Sequence, residues 1–169
     1  NGIYSKFDKF NLIDFYIFNF FILHDDFWDK NYFLVRNSYP NKFFLVPWDY
    51  DHCFGQFAWN TFDPDRNEEA NIRQLNYLFN RLLDNDEFRN CVKDRWFNLR
   101  NSIWSEQSIM EILYDIYEEV KDILDIETTK WNPGDMRSHW KNDVDDSVKG
   151  LFTWIPKRLD FCDSYFEEF

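Results

Sequence analysis

The sequence predicts a mainly α-helical domain with one small β-hairpin, an α+β fold. Apolar residues recur at helical spacing through most of the chain, and two short runs of aromatic and β-branched residues lie on either side of a polar turn. Phe, Tyr and Trp together make up 22% of the 169 residues, which indicates an aromatic core rather than disorder. This length fits a single domain spanning residues 1–169.

The first predicted element is an apolar helix that ends just before His24. Its apolar side chains are too dense for a single amphipathic stripe: Leu12, Ile13, Phe15, Tyr16, Phe18, Phe20, Phe21 and Leu23. We therefore expect a helix that is covered on most sides. Asp14 and Asn19 interrupt the run, which is also shorter than the roughly 20 residues of a membrane span, so no transmembrane segment is predicted.

Two short strands follow this helix. Tyr32–Val35 and Lys42–Val46 are separated by the sequence R-N-S-Y-P-N, which predicts a hairpin with a polar turn. Residues 56–71 are polar and contain D-P-D at 63–65, so we expect a surface loop that is a candidate lid.

The second half of the chain is predicted to be helical. One run has its apolar residues at Leu75, Leu78, Phe79 and Leu82, and the next extends from Glu87 to Arg100, which together predict a helical pair. Ser105 is the predicted N-cap of a long helix. The apolar residues expected on one face of that helix are Ile109, Ile112, Leu113, Ile116, Val120, Ile123 and Leu124.

A turn and a final helix complete the predicted elements. The turn is expected at Lys130–Gly134, where the sequence W-N-P-G breaks the helical pattern. Helical spacing then resumes from Val144 to Cys162. Pro156 lies inside that run, so we expect a kink or a restart there.

The formal net charge of −12 limits the classes of partner. Nucleic acid and anionic lipid would be repelled, whereas a basic protein substrate would be attracted. Cys53, Cys91 and Cys162 are an odd number without C-x-x-C spacing, so the sequence predicts neither a disulfide framework nor a zinc site.

Acidic and amide side chains lie at the two ends of the predicted hairpin. Asp26 and Asn31 precede its first strand, while Asp49 and Asp51 follow its second. Taken singly, each has an ordinary interpretation as a capping, turn or solvated strand-end residue. Their order around a hairpin instead favours a site for a divalent metal and a nucleotide, because carboxylate and amide oxygens are ligands of hard cations.

The arrangement resembles the catalytic half of a protein kinase. Asp26 and Asn31 have the D-x-x-x-x-N spacing, His24 stands two residues before Asp26, and Asp49 follows the hairpin. The segment P-W-D-Y-D-H-C-F-G at 47–55 resembles the P-W-D-x-[DEN]-x-x-[FW]-G signature of CotH-like atypical protein kinases, a family named for a bacterial spore-coat protein. The resemblance covers nearly the whole chain, from L-I-D-F-Y-I-F-N-F to the closing L-F-T-W-I-P-K-R-L.

This resemblance implies transfer of the γ-phosphoryl group of ATP to a Ser or Thr hydroxyl of a protein. It implies that Asp26 is catalytic and orients the hydroxyl, and that Asn31, Asp49 and, as a lesser candidate, Asp51 bind Mg²⁺ or Mn²⁺. His24 is expected to support the loop by hydrogen bonding. The spore-coat resemblance also suggests a basic, Ser-rich protein substrate and a location in the spore coat or at a cell surface.

One part of a kinase is not recognisable in the sequence. The four glycines, at 2, 55, 134 and 150, form no Gly-rich loop, and nothing before His24 resembles a nucleotide-binding lobe. We therefore expect the C-terminal lobe of a longer kinase, and the residues that hold the ATP phosphates are not identified.

Other interpretations remain open from the sequence. A non-catalytic binding or cell-surface adhesion module could keep the same fold without the chemistry. Eight Trp residues suggest a carbohydrate platform, although the helical spacing around Trp96 and Trp154 favours core packing. His52 and His139 have no partner at metal-ligand spacing, so neither is a predicted ligand.

Overall fold

A computed structural model of the chain describes residues 2–24, 28–55, 63–131 and 144–169. A short 3₁₀ turn at Ile3–Ser5 precedes the main elements, which are α1 (Lys9–Ile22), β1 (Tyr32–Val35), β2 (Phe44–Pro47), α2 (Glu69–Leu75), α3 (Tyr77–Leu83), α4 (Asp86–Arg100), α5 (Glu106–Trp131) and α6 (Val144–Glu167). In these ranges helices dominate and the strands form one antiparallel pair, so the predicted α+β class is confirmed.

Helix α1 forms the centre of the hydrophobic core. Asp8 caps its N-terminus by accepting a hydrogen bond from the backbone N–H of Asn11 at 2.9 Å. The helix packs against β2, α4 and α6, as predicted for a helix covered on most sides. Its buried side chains are Leu12, Ile13, Phe15, Tyr16, Ile17, Asn19, Phe20, Phe21 and Ile22. Across the described ranges, no helix combines the length and the apolar character needed to cross a bilayer.

The hairpin is attached to α1 by a side chain that substitutes for a neighbouring strand. Asn11 Nδ2 donates to the carbonyl of Leu45 at 3.1 Å, and Asn11 Oδ1 accepts from its N–H at 2.7 Å. Leu45 is buried in the core, which fixes one face of the hairpin against the helix. The second strand is Phe44–Pro47 rather than the predicted Lys42–Val46, because Phe43 instead forms an isolated bridge with Phe7.

The boundaries of α2 and α3 differ from the prediction. The polar loop expected at 56–71 ends earlier, since α2 begins at Glu69, and residues 56–62 lie outside the described ranges. The run from Leu75 to Leu82 is divided between two helices by Asn76, whose backbone is extended. Asn76 Oδ1 accepts from the N–H of Phe79 at 3.1 Å, so an asparagine in capping geometry ends one helix and begins the next.

The last two helices confirm one prediction and correct three. Ser105 caps α5 as predicted, with its Oγ accepting from the N–H of Ser108 at 3.1 Å. Helix α5 extends to Trp131, beyond the start of the turn predicted at Lys130–Gly134. Helix α6 runs through Pro156 as one element, so the predicted restart is wrong.

The third correction concerns the surface of α5. The residues Ile112, Ile116 and Ile123 were expected on the packed face of the helix, but each is more than half exposed. Other members of the predicted face, Ile109 and Leu113, do contact the core. The predicted face is therefore wider than the surface that packs, and one edge of it is exposed.

Candidate functional site

The hairpin brings Asn31 and Asp49 to the same end of the sheet. Tyr32 pairs with Pro47, and the N–H of Trp48 donates to the carbonyl of Asn31 at 3.0 Å. Asn31 therefore lies opposite the residue that immediately precedes Asp49. Both residues have left-handed backbones, with φ of 61° at Asn31 and 60° at Asp49. Asn and Asp tolerate this conformation better than most residues, and such backbones are concentrated at functional sites.

His24 holds the backbone at Asp49 from inside the core. The imidazole is fully buried, and its Nε2–H donates to the carbonyl of Asp49 across 3.0 Å. Its ring also meets the ring of Tyr50 edge to face, with centroids 4.5 Å apart. This geometry agrees with the supporting role expected of His24.

Tyr50 is anchored by a residue that the sequence did not single out as functional. The Tyr50 hydroxyl donates to Oδ1 of Asn19 at 2.7 Å, and Asn19 Nδ2 donates to the carbonyl of Phe15 at 2.7 Å. Burial raises the pKa of Tyr50 above its usual value, so the hydroxyl stays protonated and remains a donor. The available signal in the sequence was an amide, Asn19, in the middle of the apolar run of α1, because a buried amide requires hydrogen-bond partners.

The turn after Asp51 is closed by the backbone of Phe54 and Gly55. The N–H of Phe54 donates to the carbonyl of Ile22 at 2.5 Å, which ties the turn to the end of α1. Gly55 is buried with φ of 73°, a left-handed conformation that glycine adopts without a steric cost. This conformation gives a physical reason for the glycine that ends the P-W-D-Y-D-H-C-F-G segment.

Cys53 belongs to the same turn, and the pKa of its thiol can be measured. Its thiol donates to the carbonyl of Tyr50 at 3.0 Å, and burial, aided by the charge of Asp51, raises its pKa from 9.0 to about 11. Because thiolate is the reactive form, alkylation of Cys53 by iodoacetamide should increase with pH through about 11 rather than about 9. The contribution of Cys53 to stability should be complete below pH 9 and lost as the pH rises through 11.

Timed alkylation followed by mass spectrometry of the peptide containing Cys53 measures this value. Circular dichroism at each pH provides the control, because alkylation of an unfolded chain reports nothing about the turn. A half-maximal rate near the ordinary thiol pKa, in a chain that is still folded, would show that Cys53 is not held in this buried turn.

The predicted catalytic residue, Asp26, lies in residues 25–27, outside the described ranges. The residues on either side of this segment, His24 and Trp28, are both buried. Asn76 Nδ2 donates to the carbonyl of Trp28 at 2.9 Å, and the Trp28 ring packs against Tyr16 and Phe79. Both ends of the segment that carries Asp26 are therefore fixed in the core.

Asp49 and Asp51 are both exposed. The Asp51 side chain is 70% exposed, and its Oδ2 is 3.6 Å from Nε2 of His52. Within the described ranges, no three His, Cys, Asp or Glu side chains are grouped to hold a metal ion. Asn31 and Asp49 nevertheless supply the oxygen ligands that Mg²⁺ prefers, so their assignment as ligands stays a prediction.

A buried guanidinium, Arg158, fixes the end of α1 that leads into the site. Arg158 donates from Nε to the carbonyl of Phe21 at 3.1 Å and from Nη2 to the carbonyl of Phe20. The backbone N–H groups of His24 and Phe54 donate to the carbonyls of Asn19 and Ile22. The last four carbonyls of the helix, which have no partner within a helix, are thus all satisfied.

Arg158 also reaches the segment that follows the site. Its Nη1 donates to the carbonyls of Pro64 and Arg66 at 2.8 and 2.7 Å. Its guanidinium lies over the rings of Phe20 and Phe161, 5.0 and 4.9 Å from their centroids. Burial lowers its pKa below the usual value. The sequence indicates that Arg158 is buried, because it lies three residues after Ile155 and four before Cys162, on the apolar face of the helix.

Comparison with known proteins gives one match. A family model described as CotH kinase protein matches residues 1–162. The matched range includes α1, the hairpin, the segment at 47–55 and Arg158. No curated protein and no solved structure matches the chain.

Proposed function

The chain belongs to the CotH kinase family, and we propose that its site at the Asn31 end of the hairpin serves the transfer of the γ-phosphoryl group of ATP to a Ser or Thr hydroxyl of a protein. The observation that carries this proposal is the pairing of Asn31 with Trp48, which places Asp49 beside Asn31. His24 fixes the Asp49 backbone from the core, so the carboxylate is presented by a preorganised turn.

In this proposal each polar residue has a separate role. The Asn31 amide and the Asp49 carboxylate hold Mg²⁺ or Mn²⁺, with the exposed Asp51 as a lesser candidate ligand. Asp26 accepts a hydrogen bond from the substrate hydroxyl and takes up its proton. When bound, the divalent ion neutralises the charge that develops on the ATP phosphates.

An exposed aromatic pair next to these residues is suited to the base of the nucleotide. Phe33 and Trp48 are 51% and 60% exposed, and their rings meet edge to face with centroids 5.4 Å apart. Phe33 is two residues from Asn31, and Trp48 directly precedes Asp49. Aromatic side chains that face solvent at a site can stack on a purine, so we assign this pair to the adenine.

The charge of the chain supports a basic protein substrate. At a formal net charge of −12, the surface attracts Lys-rich and Arg-rich segments and repels nucleic acid. Such steering acts through solvent and weakens as salt is added. The proposed substrate is therefore a protein with basic residues around its acceptor Ser.

Labelled phosphate transfer by the full-length protein tests this function. With γ-labelled ATP and Mg²⁺ or Mn²⁺, we expect label on a Ser-containing basic peptide and much less on a matched acidic peptide. Chelating the metal should abolish the transfer, and added salt should reduce the preference for the basic peptide. Absence of transfer under all of these conditions would favour the rival interpretation, a non-catalytic binding or adhesion module that keeps the fold.

A further inference from the structure

Helix α5 carries an exposed apolar stripe beside the face that packs on the core. The stripe consists of Ile112, Ile116, Ile123 and Ile126, which are 58%, 54%, 52% and 63% exposed. Their spacing of four, seven and three residues places them on one side of a helix. The side of α5 that packs against the core carries Ile109, Met110 and Leu113. The isoleucine stripe thus continues the packed face around the helix, and the residues that the structure describes leave it exposed.

Acidic side chains run along one flank of this stripe. The helical period places Asp115, Glu119 and Asp122 next to the isoleucines, with Glu111 and Glu118 beyond them. All five are exposed. The basic residues among the described α5 side chains are Lys121, which pairs with Glu118 at 2.7 Å, and Lys130 near the end of the helix. The surface combines an apolar stripe with a row of negative charge.

A cleft between α5 and α6 extends this surface beyond the acidic row. It is shallow and open to solvent, and it is lined by Met110, Tyr114 and Phe152, with Glu111 and Asp115 at the acidic side. A long Lys or Arg side chain suits such a cleft, because its aliphatic part can contact apolar groups while its charge meets a carboxylate. The cleft and the acidic row therefore both favour a partner with Lys or Arg side chains.

We propose that this surface of α5 binds an amphipathic helix with a basic face, supplied by another protein. The apolar side of the partner would cover the isoleucine stripe, and its cations would lie along the acidic row and at the cleft. A second copy of α5 is disfavoured, because its own flank is acidic and supplies few cations for the acidic row. An anionic membrane is disfavoured because its negative charge repels the acidic row.

Fluorescence anisotropy with a designed probe tests the proposal. The probe is a labelled helical peptide of leucine and lysine, about five turns long, with leucines on one face. We expect the 169-residue chain to bind it, to bind a peptide with glutamate in place of lysine much more weakly, and to lose affinity as salt increases. The double variant Ile116→Ser/Ile123→Ser should bind the probe about tenfold more weakly or worse.

Matched variants separate this surface from general attraction to an acidic protein. Ile103→Ser changes an isoleucine that is 66% exposed outside the stripe and should leave affinity unchanged. Asp115→Lys should weaken binding more than Asp94→Lys, which makes the same charge change on an exposed residue of α4. Circular dichroism confirms that each variant is folded.

Three results would overturn the proposal. The first is equal loss of affinity in Ile103→Ser and the double variant, and the second is equal binding of the acidic and basic probes. The third is a dimer in sedimentation analysis that Ile116→Ser/Ile123→Ser dissociates, because the occupant of the stripe would then be a second copy of the chain.

Discussion

Replacing Asp49 with alanine in the full-length protein should lower phosphate transfer to a basic peptide about 100-fold or more. The carboxylate is the proposed ligand of the divalent ion, and His24 fixes the backbone carbonyl of the same residue at 3.0 Å, so the turn holds this ligand in a set position. Asp26→Ala should lower the rate about 10²-fold to 10⁴-fold, because it removes the group that orients the hydroxyl and accepts its proton. Rates of label incorporation at saturating ATP measure both effects.

Asp29→Ala is the matched control for these variants. Asp29 lies between Trp28 and Asn31, is exposed, and has no role in the proposed chemistry. The rate of this variant should stay close to that of the wild type. Transfer by Asp49→Ala and Asp26→Ala at the Asp29→Ala rate, with all three proteins folded, would refute the assignment of the site.

Replacing Arg158 with methionine should lower the free energy of unfolding by about 4 kcal/mol, a large part of the stability of a domain of this size. The side chain is fully buried and donates to the carbonyls of Phe20, Phe21, Pro64 and Arg66. Methionine fills part of the space but donates nothing, so buried carbonyls lose their hydrogen-bond donor. Arg158→Lys should lose less stability, since an ammonium keeps the charge but lacks the planar fork that reaches several acceptors.

Urea unfolding followed by circular dichroism measures this loss. Lys157→Met is the matched control, because Lys157 is exposed one residue away on the same helix and its change should cost little. If Arg158→Met unfolds at the same urea concentration as Lys157→Met, Arg158 does not hold α1, the segment at 64–66 and α6 together.

The sequence alone predicted the hairpin, helix α1 and the N-cap of α5, because each depends on residues that are close together in the chain. Two runs enriched in aromatic and β-branched residues, separated by a polar turn, indicated the hairpin, and the density of apolar residues indicated that α1 is covered on most sides. Ser105 was recognisable as a cap because a serine preceded a helical period. The candidate site was predicted because Asn31 and Asp49 flank the same hairpin, and a hairpin brings its two ends together.

The remaining features depend on tertiary contacts that a periodic pattern does not record. The apolar residues of α5 follow a helical period, but only packing decides which of them face the core, and Ile112, Ile116 and Ile123 do not. Asn76 ends one helix inside a continuous helical pattern, because it bonds to Trp28, 48 residues away. Asn19 and Arg158 stand out in the sequence as polar residues among apolar ones, but their partners are distant in the chain and were identified only from the fold.

The central claim is that Asn31 and Asp49 form a metal site, and thermal unfolding of the 169-residue chain tests it most directly. A ligand that binds only the folded chain stabilises it by RT ln(1 + [L]/Kd). At about ten times Kd this is about 1.4 kcal/mol, or a Tm increase of about 3–6 °C for a chain of this length. We predict such an increase with millimolar Mg²⁺ or Mn²⁺. Asp49→Asn should lose most of the increase while keeping the metal-free Tm, and Asp29→Asn should retain it. If the wild type and Asp49→Asn respond identically to metal, Asp49 is an ordinary strand-end residue and the claim is wrong.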